Sequence, residues 1–354
     1  MIHSYPNIMN AMIDSTFDKD GNGTGEFGLI SRLAEFSAAS KLKKQDSVLT
    51  GIGDDTAVVA VPSGQLLLTT DAIVDGIHFR SADERWYDIG WKCAVSNLSD
   101  IAAMGGVPDH ALVTLGVPKG VTEETYSDFY AGMNEAFGRF GGIVVGGDVV
   151  SSPNMFVNLA LTGHPGVNSS GDPRWLLRSA AQVGDLLCVS GPLGGAAGGL
   201  EVLLNGDTNP SGQILVDRHF RPTPRIELGN LLVSSGVECA MDVSDGLIGV
   251  VEKIAMASNV GITIEMSEIP LPAELIFMFG TSAIDLAMSG GEDYELVFTA
   301  PEKIVNQLQQ VGATDVCVIG RVTDGDTHGA SVSVVDGAGE NYGPIRKGWD
   351  HLNG

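Results

Sequence analysis

The chain has 354 residues, enough for about two domains, and 44% of them are hydrophobic against 18% charged, so it can bury a large core and is not disordered throughout. The net charge of −24, from 20 Lys and Arg against 44 Asp and Glu, argues against nucleic acid or an anionic membrane as the main partner. No apolar stretch reaches the ~18 residues of a membrane span, and the N-terminus has no basic region followed by an apolar one, so a cytoplasmic protein is expected.

In chain order, residues 1–25 form a flexible extension ending in a Gly-rich turn, and a helix is expected at 28–40, where Leu29, Ile30, Leu33 and Phe36 recur at helical spacing. A strand follows at 66–74, a helix at 87–104 and a strand at 111–117. Next come a helix at 123–140 with Thr122 as its N-cap, and adjacent strands at 143–150 and 155–163. The stretch 164–173, rich in Gly, Pro, Ser and Asn, is the best domain boundary, so the predicted domains are 26–165 and 174–354. Beyond it the pattern predicts a strand at 185–190, a helix at 196–204, a loop at 205–212, and helices at 213–220 and 225–235. A strand at 239–243, a helix at 247–258, strands at 262–266 and 294–299, a helix at 302–311 and strands at 315–322 and 331–335 complete it. Each half mixes strands and helices, which predicts a two-domain fold of α/β to α+β type. The 47 Gly, about 13% of the chain against the usual ~7%, fall between apolar runs, as tight junctions require. Cys93, Cys188, Cys239 and Cys317 are far apart in apolar or helical contexts and are expected to be buried free thiols.

The informative pattern is acidic residues at the ends of apolar runs. Asp54 and Asp55 lie in Gly51-Ile52-Gly53-Asp54-Asp55, and Asp71 follows Leu66-Leu67-Leu68-Thr69-Thr70. Asp100 lies in Asn97-Leu98-Ser99-Asp100-Ile101-Ala102-Ala103-Met104-Gly105, and Asp148 follows Ile143-Val144-Val145-Gly146-Gly147. Asp242 and Asp245 sit in Met241-Asp242-Val243-Ser244-Asp245-Gly246. Ligand sites of α/β sheets gather beyond the carboxyl ends of strands, so these residues are candidates for one cleft. Any one of them alone is more often an N-cap or turn residue. Two carboxylates about 4 Å apart repel by roughly 4 kcal/mol at an effective dielectric near 20. A cluster of five or more needs cations, and hard oxygen donors without Cys or paired His select Mg²⁺, Mn²⁺ or Ca²⁺. Mg²⁺ usually arrives with phosphates, which points to nucleotide-dependent phosphoryl transfer.

The common phosphate loops are absent. The chain has no Gly-Lys dipeptide and hence no P-loop, and the Gly-rich stretch 191–199 does not fit G-x-G-x-x-G. Asp18-Lys19-Asp20-Gly21-Asn22-Gly23 matches the first half of a calcium loop, but Leu29 stands where the bidentate Glu is required, so a flexible acidic turn is the default.

At these motifs the sequence resembles the thiamine-monophosphate kinase family. The matching stretches begin with Gly25-Glu26-Phe27-Gly28-Leu29-Ile30, the acidic motifs above and Gly76-Ile77-His78-Phe79. They continue with Arg218-His219-Phe220-Arg221-Pro222, Ser289-Gly290-Gly291-Glu292-Asp293-Tyr294-Glu295-Leu296 and Lys347-Gly348-Trp349-Asp350-His351, in family order over nearly the whole chain. The first 24 residues have no counterpart in that pattern. The resemblance implies the aminoimidazole-ribonucleotide synthetase-like fold, with an N-terminal mixed-sheet α/β domain that dimerises through its sheet and a C-terminal α+β domain. It implies ATP-dependent phosphorylation of thiamine monophosphate to thiamine diphosphate by direct in-line transfer, with several Mg²⁺ and no covalent or general-base residue. Carried over by position, Asp55, Thr69, Thr70, Asp71, Asp100, Asp148, Asp242 and Asp245 form the Mg²⁺-binding set, with Asp54 less directly involved. Gly147, Asp148, Arg178 and Ser244 are implied ATP contacts, and His78, Glu292 and Trp349 implied contacts to thiamine monophosphate. Without the family, His78 and Trp349 read as packing residues and Arg178 as a surface residue.

Two alternatives stay open at this point: another ATP-dependent enzyme of the same superfamily, of the purine ring-closing type, or a non-catalytic nucleotide-binding regulator. A hydrogenase-maturation relative would end in Cys, whereas this chain ends Asp350-His351-Leu352-Asn353-Gly354, and a selenophosphate synthetase would need a catalytic Cys ahead of Cys93.

Overall fold

The computed structural model describes residues 47–342, apart from 63, 84, 314 and 326–328. The expected helix at 28–40, the extension at 1–25, the calcium-like turn and Trp349 lie outside the described residues. The N-terminal half runs β1 (Val48–Thr50), β2 (Ala57–Val61), β3 (Gly64–Val74), α1 (Trp86–Ala103), β4 (Gly106–Val117), α2 (Glu123–Phe140), β5 (Ile143–Ser151), β6 (Phe156–Val167) and β7 (Pro173–Arg174). The C-terminal half begins with β8 (Leu186–Val189), α3 (Gly195–Asn205), α4 (Pro210–Phe220), α5 (Ile226–Ser235), β9 (Cys239–Asp242) and α6 (Leu247–Ser258). It ends with β10 (Gly261–Glu265), α7 (Ala273–Phe279), α8 (Ala283–Ser289), β11 (Leu296–Ala300), α9 (Glu302–Gln310), β12 (Cys317–Thr323) and β13 (Ser331–Val335).

Among the described residues the N-terminal strands form one sheet, ordered β1-β2-β3-β6-β4-β5 with β7 paired to β6. All pairs are antiparallel except β4 with β5, which α2 connects in parallel. The strands expected to be adjacent, at 143–150 and 155–163, are therefore separated by β4. The C-terminal sheet, ordered β13-β10-β12-β8-β11-β9, is antiparallel except for β10 with β13. Both sheets are mixed and carry helices, as the α/β to α+β reading expects.

Helix α1 sits at the junction. It packs on the face of the N-terminal sheet formed by Leu67, Val113, Val157 and Leu159, and also against β9 and α5 of the other half. A helix buried on nearly every side must be apolar nearly all round, and residues 89–99 of α1 are all buried. Among the described residues no helix covers the opposite sheet face, where Leu112 of β4 is 52% exposed. No helix among the described residues is long and apolar enough to cross a membrane.

Three departures from the sequence reading have physical causes. The Gly/Pro/Ser-rich stretch is a hairpin turn: β6 continues through Val167, and Asn168 Oδ1 accepts the N–H groups of Ser170 and Asp172 at 2.9 Å each, which reverses the chain into β7. The loop before α4 is shorter than expected, because Asn209 caps the helix and Pro210 occupies its first turn. Helices α7 and α8, of seven residues each, are too short to display a helical period.

Helices α1 and α2 touch backbone to backbone. A Cβ on Gly90 would lie 1.8 Å from Phe129 O, and one on Gly132 would lie 1.7 Å from Tyr87 O. Gly132→Ala is therefore expected to destabilise the fold by about 1–3 kcal/mol or more, because neither backbone can yield. Gly138→Ala, on the same helix with nothing within 4 Å of the new methyl, should instead be neutral or stabilise by up to about 1 kcal/mol. Denaturant titration of both variants checks this, and equal midpoints would contradict the close contact of the two backbones.

Candidate active site

The acidic motifs meet where α1, β3, β9 and the β1–β2 segment converge. Oxygens of Asp55, Asp100 and Asp242 lie within 4.8 Å of one another. Each carboxylate is held from a neighbouring element. Thr69 of β3 donates its hydroxyl to Asp100 Oδ2, and Ser99 of α1 donates to Asp242 Oδ2 at 2.7 Å. Asn97 Oδ1 accepts the Asp71 N–H at 3.1 Å, fixing β3 to α1. Asp71 acts electrostatically on Asp100, so it belongs to the same charged neighbourhood.

Strand alternation sorts the two threonines. Thr69 faces α1 with Asp71, whereas Thr70 turns its hydroxyl to the other side of the sheet, to Leu159 O at 3.1 Å and Asn158 Oδ1 at 3.2 Å. Asp245 is ion-paired to Lys253 of α6 at 2.7 Å and stands outside the three-carboxylate group. Asp148 is also apart: it is exposed on the edge strand β5, and its Oδ1 accepts the Val149 N–H at 2.9 Å. Gly147 and Asp148, with Val113, Tyr130, Val144, Gly146 and Val149, line an open recess of about 520 Å³.

Arg178 is an internal counter-ion. Its Nη2 lies 2.7 Å from Asp55 Oδ1, its Nε donates to Asp55 Oδ2 at 3.2 Å, and its Nη1 donates to Gly53 O at 3.3 Å. Its backbone N–H faces both oxygens of Asp54 at 3.4 Å. Even so, burial and then the neighbouring Asp55 charge push the Asp54 carboxyl up to about 7. Burial and the charges of Asp71, Asp242 and Asp55 push Asp100 well above the usual carboxylate range, and burial with Asp55 raises Asp242.

A second group lies across the cleft. Gly291 and Ser244 pack so closely that a Cβ on Gly291 would meet Ser244 O at 2.2 Å, and the Glu292 N–H donates to Ser244 O at 2.8 Å. Glu292 adopts a left-handed φ of 68°, a conformation that a non-glycine residue rarely holds away from functional sites. Its carboxylate, 29% exposed, pairs with Lys92 Nζ at 2.5 Å and lies 3.5 Å from His219 Nδ1. Burial raises the Glu292 carboxyl, but the charge of Lys92, at contact distance, outweighs it and holds it below its ordinary value. His78 Nδ1 accepts the Val74 N–H at 3.2 Å, just beyond the end of β3. The buried Tyr294 lies within electrostatic reach of Glu292 and of Asp71, Asp242 and Asp100.

Sequence reasoning did not single out Lys92, Asn97, Ser99 or His219 for roles here. Lys92 had one available signal: it is the lone Lys of the 87–104 helix and lies eight residues before Asp100, on the same helical face. The Gly-rich stretch 191–199 does feed a helix, α3, but Asp293 already accepts the Gly194 and Ala196 N–H groups at 2.6 and 3.0 Å. That N-terminus is capped by a carboxylate.

Raised carboxyl pKa values mean that the folded protein holds more protons than the unfolded chain above the ordinary carboxylate range. Stability of the metal-free protein should then fall as pH rises from about 4 through about 7, the raised value of Asp54. A divalent cation such as Mg²⁺ bound there would compete with those protons, so any stabilising effect of Mg²⁺ should grow over the same window. Asp242→Asn should raise the melting temperature of the metal-free protein near pH 7.5 and remove most of the Mg²⁺ increment. Thermal melts with and without millimolar Mg²⁺ check this; an unchanged increment in Asp242→Asn would contradict the placement of the cation.

Comparison with known proteins identifies the family. The AIR synthase related protein N-terminal domain matches residues 53–164, and its C-terminal domain matches residues 182–333. The thiamine-monophosphate kinase of Aquifex aeolicus is 36% identical over 334 residues, 93% of this chain and 98% of its own length. That of Haemophilus influenzae is 36% identical over 289 residues, 80% of this chain and 84% of its own. The solved structure of AaThiL complexed with AMPPCP and TMP is similar with a TM-score of 0.79 at 35% identity, over 92% of this chain and 97% of that one. The chain belongs to the thiamine-monophosphate kinase family, within the AIR synthase related proteins.

Proposed function

We propose that the protein transfers the γ-phosphoryl group of ATP to thiamine monophosphate, giving ADP and thiamine diphosphate. The observation that carries this reading is the meeting of carboxylate oxygens of Asp55, Asp100 and Asp242 within 4.8 Å of one another. A phosphate oxygen of the acceptor attacks the γ-phosphorus while the bond to the β-phosphate oxygen breaks. That oxygen is largely ionised near pH 7, so no general base is required and catalysis is positioning and charge neutralisation. Magnesium fits the donor set, which is hard oxygen without Cys or paired His; bound at Asp55, Asp100 and Asp242, beside Asp71 and Thr69, it would neutralise the charge of the two phosphates. With the Asp55 charge taken over by a cation, the guanidinium fork of Arg178 would be free for an ATP phosphate, and Gly147, Asp148 and Ser244 are assigned to ATP with it. His78, Glu292 and Trp349 are assigned to the acceptor. We place the domains at 26–165 and 174–354, which enclose the two family matches, after an extension at 1–25, and the protein in the cytoplasm.

A homodimer completes the site in this reading. Asp71 pairs with Leu159, Leu159 with Val113 and Val113 with Gly147, so β3 and β5 are three strand spacings apart. At ~4.8 Å per spacing that is about 14 Å, too far for Asp148 to join Asp71 around one ion in the same chain. Among the described residues β5 is an edge strand with Val149 67% exposed and Leu112 of β4 is 52% exposed, and a second copy docked along this edge and face would bring its own Asp148 toward the Thr70 side of β3, next to Asp71 in sequence.

One assay tests both parts. Wild-type protein with ATP, Mg²⁺ and thiamine monophosphate is expected to form thiamine diphosphate, read as its fluorescent thiochrome, and to stop when Mg²⁺ is chelated. Asp71→Asn and Asp148→Asn should each lose at least about 100-fold in turnover while remaining folded. If Asp148 is supplied by the second copy, mixing and re-equilibrating the two variants restores one intact site in each heterodimer, up to about a quarter of wild-type activity. No product from folded wild-type protein that binds ATP would remove the kinase reading; no recovery in the mixture would remove only the shared site.

A further inference from the structure

Lys92 belongs neither to the metal set nor to the acceptor contacts named above. Lysines are rarely buried, yet Lys92 is 6% exposed in the middle of α1. Its Nζ reaches Glu292 Oε1 at 2.5 Å and, among the described residues, makes no hydrogen bond besides that ion pair. From the other side His219 of α4, buried to the same degree, places Nδ1 3.5 Å from Glu292 Oε2, and among the described residues that nitrogen has no other polar partner. One carboxylate is thus gripped between two helices while part of it stays open to the cleft. Its backbone is held as firmly, by the left-handed φ and the bond to Ser244 O.

We propose that Lys92 is the positioning residue for the phosphoryl acceptor: it fixes Glu292 as an ionised carboxylate in a single orientation, so that its open side accepts hydrogen bonds from the amino-bearing heterocycle of the acceptor. The inference rests on the reading of Glu292 as an acceptor contact. An ionised carboxylate only accepts hydrogen bonds, whereas a protonated one also donates, so the charge state decides which ligand groups it matches. A carboxylate this enclosed needs a cation to stay ionised, and Lys92 provides it at contact distance. His219, a neutral ring whose pKa burial pushes down to about 3, lines the other oxygen without adding charge. Ion pairing also uses one face of the carboxylate, which leaves the remaining lone pairs aimed away from α1. A merely structural ion pair behaves differently: replacing it with uncharged groups is often neutral for stability and has no reason to touch one substrate and spare the other.

The test is a double-mutant cycle on steady-state kinetics, using wild type, Lys92→Met, Glu292→Gln and the double variant, with ATP and thiamine monophosphate varied separately. Lys92→Met and Glu292→Gln are each expected to raise the KM for thiamine monophosphate about tenfold, with the KM for ATP within about twofold of wild type. The double variant should be no worse than Glu292→Gln alone, within about twofold, because Lys92 acts through Glu292. A double variant about tenfold worse than Glu292→Gln would overturn the proposal, since Lys92 would then act on the reactants independently; so would an unchanged acceptor KM in Lys92→Met. If Lys92→Met does not fold, the double variant, which leaves no buried charge unpaired, still decides the matter by its comparison with Glu292→Gln. An unchanged acceptor KM in Glu292→Gln would overturn both this proposal and the assignment of Glu292 to the acceptor, while leaving the kinase reading to the turnover assay.

Discussion

Helix α1 is buried on nearly every side, so each polar group it carries must find a partner inside the protein. That requirement arranges the site. Asn97 takes the backbone of β3, Ser99 takes Asp242 at the end of β9, Asp100 takes Thr69, and Lys92 takes Glu292 from the loop before β11. Lys92, Ser99 and Asp100 follow helical spacing along one face, so a single rigid element sets the distance between the acidic group and the acceptor side. An unpartnered polar group at any of these positions would cost about 1–3 kcal/mol, which is why the elements meet here and in this register.

The same burial makes the site electrostatically unfavourable in the absence of cations. Asp54, Asp100 and Asp242 are all held above the ordinary carboxylate range, and Arg178 relieves only part of the repulsion by pairing with Asp55. Stability of the bare fold and affinity for cationic or phosphate-bearing ligands are therefore two sides of one charge distribution. The environment of Glu292 is built the opposite way: its carboxylate has its own buried counter-ion, Lys92, which holds it below its ordinary value. One carboxylate environment short of positive charge and one already balanced match the proposed division between polyphosphate and an organic cation.

Much of this was legible in the sequence. Helix α2 has its observed bounds and its Thr122 cap in the residue pattern alone, because the apolar spacing is regular and the cap chemistry unambiguous. The carboxylates after apolar runs pointed to a common neighbourhood, and Asp55, Asp100 and Asp242 do meet, whereas Asp148 and Asp245 stand apart from them. Position within the sheet was not legible. Asp148 carries the same signature as Asp71, yet three strand spacings separate their strands, since the return of β6 between β3 and β4 depends on tertiary packing that local pattern does not encode. Strand parity was also invisible for neighbours as close as Thr69 and Thr70, which face opposite sides of β3. Lys92 was hidden by its surroundings: its spacing from Asp100 was the one signal, and the partner that it meets, Glu292, lies 200 residues further along the chain.

Turnover in this reading requires the acidic group to bind its own cations in addition to the one that accompanies ATP. The direct measurement is the initial rate of thiamine diphosphate formation as free Mg²⁺ is raised at a fixed, saturating concentration of the Mg²⁺–ATP complex, in wild type and in Asp242→Asn. The rate of the wild type should keep rising well after all ATP is loaded, and Asp242→Asn should need at least about tenfold more free Mg²⁺ for half its maximum. A rate that is already maximal once ATP is loaded, with the same free Mg²⁺ dependence in both proteins, would contradict it.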